Sequence, residues 1–344
     1  MFNKGDPQIS FSSTEMYGHL VPQGHFLRRL KEVVDFSFVN RLASPLYSKG
    51  MGRPSFPPVL MVKALLLQYL YNISDESLEE ALTVNLAFKY YCDMDWDARG
   101  PDATTLVKFR GRLGPKRFAR IFNEVVQQAN DHNLISDALS IVDSTHVKAR
   151  VDTFKARTSG KSPDPDSRDG YKSDKKPFHG YKVHTSLDQG SQLLTRVEVT
   201  PGNVHDGKAF PEVMDSYACM VTADKAYDTN YNHRLLEEKS IESAIIPKDN
   251  RKDPAIRENA RRPRIKKAMS SRKGKEKKYK ELKNDHGLAR CRYYGLAKTR
   301  IQALLTATVV NLKRMVKLIF HKRKTRPGFY YIPKECRKLL HLTG

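Results

Sequence analysis

The feature that most constrains the fold of this chain is a change in the spacing of its apolar residues near residue 135. Before that point, apolar residues recur at intervals of three and four, which is typical of amphipathic helices. After it come short runs rich in β-branched residues, ALSIVDSTHVKAR, GYKVHTSLDQ and LLTRVEVTPG. The sequence therefore predicts an α/β protein with an all-helical N-terminal domain, residues 1–134, and a mixed-sheet domain, residues 135–325.

Several helix starts can be identified in the N-terminal part. Pro57 and Pro58 open PPVLMVKALLLQYLYNIS, and the Ser74 hydroxyl can cap the helix that follows it. Two further predicted helices, PDATTLVKFRGRLG and PKRFARIFNEVVQQANDHNL, carry basic residues that include Arg110 and Arg112. Short basic helices joined by tight turns fit a helix-turn-helix DNA reader, but the periodicity fits a plain helical bundle equally well.

The three β-rich runs are predicted to form sequential antiparallel strands. A helix near residues 209–217, the strand ACMVTADKAY, the helix NYNHRLLEEKS and the strand SAIIPK follow, and this alternation indicates a mixed sheet with helices on its faces. A long helix is predicted from about residue 299 to 321, and residues 326–344 form a tail. The segment at about 152–178 is rich in Ser, Asp, Lys, Gly and Pro and is predicted to be a flexible loop.

The charge of the chain indicates a polyanionic partner. It has 61 Lys and Arg against 38 Asp and Glu, a net charge of +23, with a pI near 9.8. Residues 251–283 hold 15 of the basic residues against four acids, within a basic segment at about 249–283. A phosphate-binding surface is the favoured interpretation of this segment, and a solvated basic loop without a ligand is the alternative.

The same sequence gives an expectation for the compartment. The N-terminus lacks the layout of a signal peptide, and no apolar run reaches the roughly 18 residues that a membrane span needs. The four cysteines are scattered and show no zinc-finger spacing. We expect a cytoplasmic, nucleoid-associated protein with no membrane partner.

Two aspartates follow apolar β runs in the second domain. Asp143 closes SIVD and Asp224 closes VTAD, so that two strands at the centre of one sheet could bring them together. An aspartate at a strand end is otherwise often a turn former. Glu276 begins or continues the predicted helix EKKYKELKN, where it could equally make ion pairs, and Glu281 competes with it.

Longer strings in the sequence point to a family. GRPSFPP, LLLQYLYNISDESLEEAL, NLAFKYY, PDATTLVKFRGRL, VDSTHVKA, HGYKVH, VTPGNVHDG and ADKAYD, between about residues 52 and 317, resemble a bacterial insertion-sequence transposase of the DDE superfamily. The third family motif reads Tyr, two residues, Arg, three residues, Glu, six residues, Lys. Arg272, Glu276 and Lys283 stand at that spacing, and the Tyr position holds Met269.

The resemblance implies a fold, an activity and a set of site residues. The fold would be a helix-turn-helix DNA-binding domain followed by an RNase H-like catalytic domain. The catalytic residues would be Asp143, Asp224 and Glu276, binding two Mg²⁺ or Mn²⁺ ions for DNA cleavage and strand transfer. The partners would be double-stranded DNA, at the element's terminal inverted repeats and at the target, and a second copy of the chain in a homodimer or higher oligomer. The residues expected to contact DNA are Arg272, Lys283, Lys273, Lys275, Lys277, Arg110 and Arg112.

Other polar residues near the strand ends are interpreted differently. His146, His184 and His205 are assigned to substrate positioning or packing, because Mg²⁺ prefers oxygen ligands to histidine nitrogens. Asn203 and Asp206 are interpreted as turn residues.

Three competing functions are considered. A catalytically decayed transposase that acts only as a sequence-specific DNA-binding protein would account for Met269. A nuclease or resolvase of the same fold would hydrolyse DNA without joining it. A structural nucleoid protein would account for the charge but not for the paired aspartates.

Overall fold

The structure is a computed structural model that describes residues 1–3, 9–48, 50, 52, 54–154, 158, 161–171 and 177–325, without the side chains of residues 273 and 322–325. The predicted tail at 326–344 and part of the predicted loop at 152–178 lie outside these residues. The chain divides into two compact units, one built from Met1–Val125 with the segment that starts at Thr308, the other from Val126–Ala307. No helix among the described residues is both long and apolar enough to cross a membrane.

The first unit is built from helices. Nearly every residue of the helix Pro58–Leu70 is buried, because all its residues but Lys63 and Gln68 are apolar or aromatic. Ser74 caps the next helix as predicted, since its hydroxyl accepts a hydrogen bond from the Ser77 amide at 3.0 Å. The helices up to residue 131 are α1 (Phe11–Leu20), α2 (Phe26–Val33), α3 (Phe38–Ala43), α4 (Pro58–Leu70), α5 (Asp75–Val84), α6 (Leu86–Tyr91) and α7 (Ala103–Asp131).

A buried ion pair joins α5 and α7 within this unit. The Arg110 guanidinium donates to both carboxylate oxygens of Asp75, at 2.5 and 2.6 Å, and to the side-chain oxygen of Gln68 on α4. Arg110 is only 5 % exposed. A buried guanidinium needs such partners, because leaving it unpaired would cost several kcal/mol or more. Arg110 therefore has a structural role, and the prediction that it contacts DNA is not supported by its position.

Helix α7 is interrupted where the sequence predicts a break between two helices. Gly114 has a φ of 68° and lies just before Pro115, and the helical backbone is not continuous through it. A positive φ is accessible to glycine without the steric cost that other residues have. Arg112, close to this break, is exposed, and its guanidinium lies 4.7 Å from the ring centroid of Tyr47.

The second unit is organised around one mixed sheet. Within the described residues its six strands are β1 (Ser140–Lys148), β2 (Arg168–Tyr171), β3 (Pro177–Asp188), β4 (Leu194–Pro201), β5 (Met220–Ala223) and β6 (Glu242–Ile245). They lie in the order β2-β3-β1-β5-β6, with β4 also paired to β3. Pairs β1–β3 and β3–β4 are antiparallel as predicted, and β1–β5 and β5–β6 are parallel.

Helices cover both faces of the parallel end of this sheet. Alternate residues of a strand point to opposite faces. Val221 packs with Phe210 and Leu236 on one face, whereas Met220 packs with Ile265 on the other. The helices that follow β4 in the chain are α8 (Asp206–Val213), α9 (Asn230–Glu238), α10 (Pro254–Arg261), α11 (Pro263–Ser270), α12 (Lys275–Lys280) and α13 (Leu296–Thr325), of which α13 continues into the first unit from Thr308.

The segment predicted as a flexible loop contains regular structure. Its residues Arg168–Tyr171 form β2, paired with the start of β3. Asp164 is 1 % exposed and accepts a hydrogen bond from the Tyr181 hydroxyl at 2.5 Å. The composition of the segment does not reveal β2, because this strand is only four residues long and pairs with the more distant strand β3.

Three glycines allow close backbone approach where β2, β3 and the end of β4 meet. A Cβ at Gly170 would overlap the carbonyl of Gly202. Gly180, in the HGYKVH motif, has a φ of 153°, and a Cβ there would overlap the Val147 carbonyl oxygen and lie 2.7 Å from the Ala149 amide nitrogen. Gly180 therefore permits the contact between β3 and the end of β1.

We expect Gly180→Ala to lower the free energy of unfolding by more than about 1 kcal/mol, because the new methyl group meets backbone atoms that cannot move independently. Gly111→Ala is the matched control, since Gly111 lies in α7 with open space around it. That change should be stabilising by up to about 1 kcal/mol. Urea unfolding of both variants measures this, and equal effects would contradict the steric role of Gly180.

Candidate active site

A short parallel contact between β1 and β5 brings the two predicted catalytic aspartates close together. The β1–β5 pairing covers Ser140 with Val221 and Ile141 with Thr222. Continuing this register by two residues places Asp143 opposite Asp224. Asp143 is not at the end of its strand as predicted, because β1 continues to Lys148 in contact with β3. Asp143 lies instead two residues beyond Ile141, the last residue of β1 that pairs with β5.

Asp224 stands at the end of β5. All four residues of β5 are buried, and Asp224 then caps a short 3-10 turn, Lys225–Tyr227, by accepting a hydrogen bond from the Lys225 amide at 2.7 Å. Four residues later, the buried Asp228 accepts hydrogen bonds from the Lys248 amide and from His233 Nε2, both at 2.8 Å. Asp228 thereby ties together the chain segments that follow β5 and β6.

The guanidinium of Arg272 lies between the two aspartates. Its nitrogens are 3.4 Å from Asp224 Oδ1 and 3.9 Å from Asp143 Oδ1. Arg272 belongs to the 3-10 turn Ser271–Gly274, so it is not on a continuous helix with Glu276 as predicted. A positive charge is therefore held by the two carboxylates in this structure, and the guanidinium faces them rather than Glu276.

A second cation lies within the sheet beside Asp143. The Lys275 ammonium is fully buried and donates hydrogen bonds to the carbonyl oxygens of Ile141 and Thr185 at 2.7 and 2.6 Å. Burial lowers the pKa of Lys275 to about 7, against the opposing effect of Asp143. Burial also raises the pKa of Asp143, against the lowering effects of Lys275 and Arg272.

Glu276 lines the same cavity as the two aspartates. The cavity has a volume of about 550 Å³, and Glu276 is exposed at the start of α12. No three His, Cys, Asp or Glu side chains lie close enough together to hold a metal ion among the residues described. The structure thus brings the three predicted acids to one cavity without joining them in one cluster. Other residues that line it include Ser144, His146, Phe178, Lys182, Asp206, Tyr279, Lys280 and Lys283.

A third aspartate at the cavity was missed by sequence reasoning. Asp206 is the first residue of α8 and accepts hydrogen bonds from Lys182 Nζ at 2.7 Å and from the Ser144 hydroxyl at 2.8 Å. We interpreted it as a turn residue. The motifs HGYKVH and VTPGNVHDG contain Lys182 and Asp206, and their joint occurrence was the signal that could have identified this pair. Asn203 does lie in a turn.

The three histidines near the strand ends have different surroundings. His184 is fully buried, with Nδ1 3.2 Å from the Tyr227 hydroxyl and Nε2 2.9 Å from the Thr200 hydroxyl. His205 caps α8 by accepting a hydrogen bond from the Gly207 amide. His146 lines the cavity, where its ring centroid lies 5.1 Å from that of Phe178.

The predicted DNA-contacting residues of the basic segment are not equivalent. Lys275 is buried and hydrogen-bonded to the backbone, so its predicted phosphate contact does not fit its position. Lys277 is exposed, and Lys283 lines the cavity from the π-helical turn Glu281–Asp285. The side chain of Lys273 lies outside the described residues.

Met269, at the family's Tyr position, does not line the cavity. It is partly buried on α11 and packs against the apolar cluster of Met220, Ala244, Ile265 and Ala268. Its side chain therefore contributes to packing against the sheet.

Comparison with known families assigns the chain. Residues 15–112 match the family described as Transposase domain (DUF772), and residues 136–312 match the family described as Transposase DDE domain. The second match covers more than half of the chain. The protein therefore belongs to the Transposase DDE domain family, and its helical region followed by a mixed sheet with helices agrees with the predicted fold class.

One solved structure with some likeness to this chain is the piggyBac transposase synaptic complex with hairpin DNA, determined by cryo-electron microscopy. The likeness covers 87% of this chain and 76% of that one, with 12% identity and a TM-score of 0.44.

We expect His184 to make the fold sensitive to acid. Burial lowers the pKa of His184 to about 4, whereas an unfolded chain takes up the proton near 6.5. The folded state binds fewer protons within this window, so its stability falls as the pH falls from about 6.5 towards 4. The loss should reach roughly 2 kcal/mol by pH 5.

His184→Gln should remove this component, so that the stability difference between wild type and variant shrinks between pH 7 and pH 5. Urea unfolding at the two pH values measures it. His19→Gln, at an exposed position in α1, is the control and should keep the wild-type acid sensitivity. A difference between wild type and His184→Gln that stays constant with pH would contradict the prediction.

Proposed function

We propose that this protein is a DNA transposase that cleaves DNA at the ends of an insertion element and joins it to a target. Asp143, Asp224 and Glu276 are the proposed catalytic residues. The observation that carries the proposal is their shared cavity, which three distant parts of the sequence line together. Membership of the Transposase DDE domain family supports the same reaction class.

The side chains at the cavity suit a hard divalent cation. Carboxylate oxygens are the ligands that Mg²⁺ and Mn²⁺ prefer. The guanidinium of Arg272 already lies between Asp143 and Asp224, so the two carboxylates form a position that accepts positive charge. We propose that Asp143, Asp224 and Glu276 hold two such ions. When bound, the ions would supply activation of the attacking oxygen and charge neutralisation at the phosphate.

The remaining residues of the cavity have roles that follow from their contacts. Ser144, Lys182 and Asp206 form a hydrogen-bonded set along its wall, which we propose orients the neighbouring backbone of β1. Lys280 and Lys283 line the cavity and would attract the phosphates of a DNA strand. Once released from the two aspartates, Arg272 could also pair with a phosphate.

The wider assignments are proposed on the family and the charge. Antiparallel pairings join the four strands β1 to β4, and β5 and β6 follow β1 in parallel. This mixed sheet fits an RNase H-like catalytic domain. We propose that the helical region, with the exposed Arg112, reads DNA in the manner of a helix-turn-helix module. The reaction brings two DNA ends together, so a homodimer or higher oligomer is proposed for the active complex.

A decayed transposase that only binds DNA is the second candidate, and Met269 is the observation that favours it. In the structure Met269 takes part in apolar packing on α11 and does not line the cavity. Met269 therefore replaces no group that lines the cavity.

Asp143→Asn, Asp224→Asn and Glu276→Gln should each reduce Mg²⁺-dependent cleavage at the element's ends by at least about 1,000-fold, because each removes a charged oxygen ligand. DNA binding should be retained. Cleavage and strand transfer are measured on DNA that carries the element's terminal repeats, and binding by gel shift.

Glu281→Gln is the matched control, because Glu281 lies one turn further along and its carboxylate pairs with Lys278 at 2.9 Å. It should keep cleavage within a few-fold of wild type. Full strand transfer by any of the three variants would remove that residue from the site, and a wild-type protein that binds but never cleaves would favour the decayed alternative.

The exposed lysines beside the cavity should set part of the salt dependence of DNA binding. Lys277→Gln with Lys280→Gln should lower the slope of log affinity against log salt by about 1 to 2, because fewer counterions are released. Affinity is measured at several salt concentrations between about 50 and 200 mM.

Arg234→Gln with Lys239→Gln is the control. Both residues are exposed, Arg234 within α9 and Lys239 directly after it. Replacing them removes the same amount of positive charge from a helix that packs on the sheet. The control should leave the slope near its wild-type value. Equal slopes for the two double variants would show that Lys277 and Lys280 contact no phosphate.

A further inference from the structure

The fully buried ammonium of Lys275 connects α12 to the centre of the sheet. Its two acceptors, the carbonyl oxygens of Ile141 and Thr185, belong to different strands. Ile141 is the last residue of β1 that pairs with β5, and Thr185 lies directly opposite Asp143 in the β1–β3 ladder. One side chain thus contacts the β1 backbone two residues before Asp143 and the β3 backbone directly opposite Asp143.

A second contact, made by Tyr279, holds the face of α12 that carries Lys275 against β3. Tyr279 lies four residues after Lys275, so the two side chains share a helix face. The Tyr279 hydroxyl is 3.1 Å from the Thr185 hydroxyl, and Lys275 Nζ lies 5.5 Å from the centroid of the Tyr279 ring. Glu276 and Lys280, next to this face, line the cavity.

Burial of a lysine charge is expensive unless several groups compensate for it. An apolar side chain at position 275 would pack on the sheet without this cost, but it could not donate to two backbone carbonyls. The hydrogen bonds of the lysine are directional, so they fix where the first turn of α12 lies along β1 and β3. Glu276, the next residue, takes its position from that turn.

We propose that Lys275 is a positioning residue, which anchors the first turn of α12 to β1 and β3 and so fixes Glu276 relative to Asp143. The inference rests on the proposed function for the role of Glu276 as a metal ligand. The anchoring itself rests on the contacts of Lys275 and Tyr279 alone.

The first measurement is hydrogen–deuterium exchange of the peptide that contains α12, with thermal unfolding as a check of the fold. Lys275→Met should raise exchange in α12 by at least about 10-fold. Lys275→Gln keeps N–H donors without the charge, and should raise it less. Lys277→Met is the matched control, since Lys277 is exposed on the same helix, and should leave exchange unchanged.

The second measurement is Mn²⁺ binding to the DNA-free protein, followed by electron paramagnetic resonance. Glu276→Gln should weaken binding by about 10-fold or more in the wild-type background. In the Lys275→Met background the same change should have less than about a 2-fold effect, because Glu276 is no longer held in place. The Lys277→Met background should keep the full effect.

The outcomes separate this inference from the proposed function. Unchanged exchange in α12 would overturn the positioning role of Lys275, and so would a Glu276→Gln effect of about 10-fold or more that is equally large in the wild-type and Lys275→Met backgrounds. If exchange rises but Glu276→Gln leaves Mn²⁺ binding unaltered in the wild type, the anchoring by Lys275 stands and the assignment of Glu276 as a ligand fails.

Discussion

The candidate site depends on a parallel pairing between β1 and β5 that lasts for only two residues. Beyond Ile141 the two strands separate, and β1 continues alone against β3. At its far end, β1 meets another segment, because the Lys148 amide donates to Ala289 and the Lys148 carbonyl accepts from Cys291. The cavity opens between these two contacts, and Asp143 stands at its start. The separation of two strands, rather than a loop, therefore creates the site.

Charge compensation within the protein explains much of the local chemistry. Arg272 lies against Asp143 and Asp224, and Lys182 pairs with Asp206. The basic residues of this region therefore include some that are paired with carboxylates or hydrogen-bonded to the backbone and others that face solvent. A high local charge thus overstates the number of cations available to a DNA phosphate.

Much of the architecture was predictable from the sequence, because local patterns govern it. The antiparallel strands, the alternation of helix and strand after Asp206 and the break near Gly114 follow from periodicity and turn residues. What could not be predicted depends on contacts between distant segments. The short strand β2 forms only because β3 lies beside it. Neither the burial of Lys275 nor the pairing of Arg110 with Asp75 could be predicted from a basic sequence, in which every cation resembles its neighbours. The site residues themselves came from motif spacing, and their roles remain predictions.

The position of Asp143 inside a strand has a consequence for changes in chain length. Because successive side chains of a strand point to opposite faces, deleting one residue between Ser140 and Asp143 would turn the carboxylate to the other face of the sheet. The same deletion in a surface loop would leave its direction intact. Natural selection should therefore tolerate insertions and deletions in the first half of β1 far less than in the loops that flank this strand. This holds even at positions of β1 where side-chain replacements are tolerated.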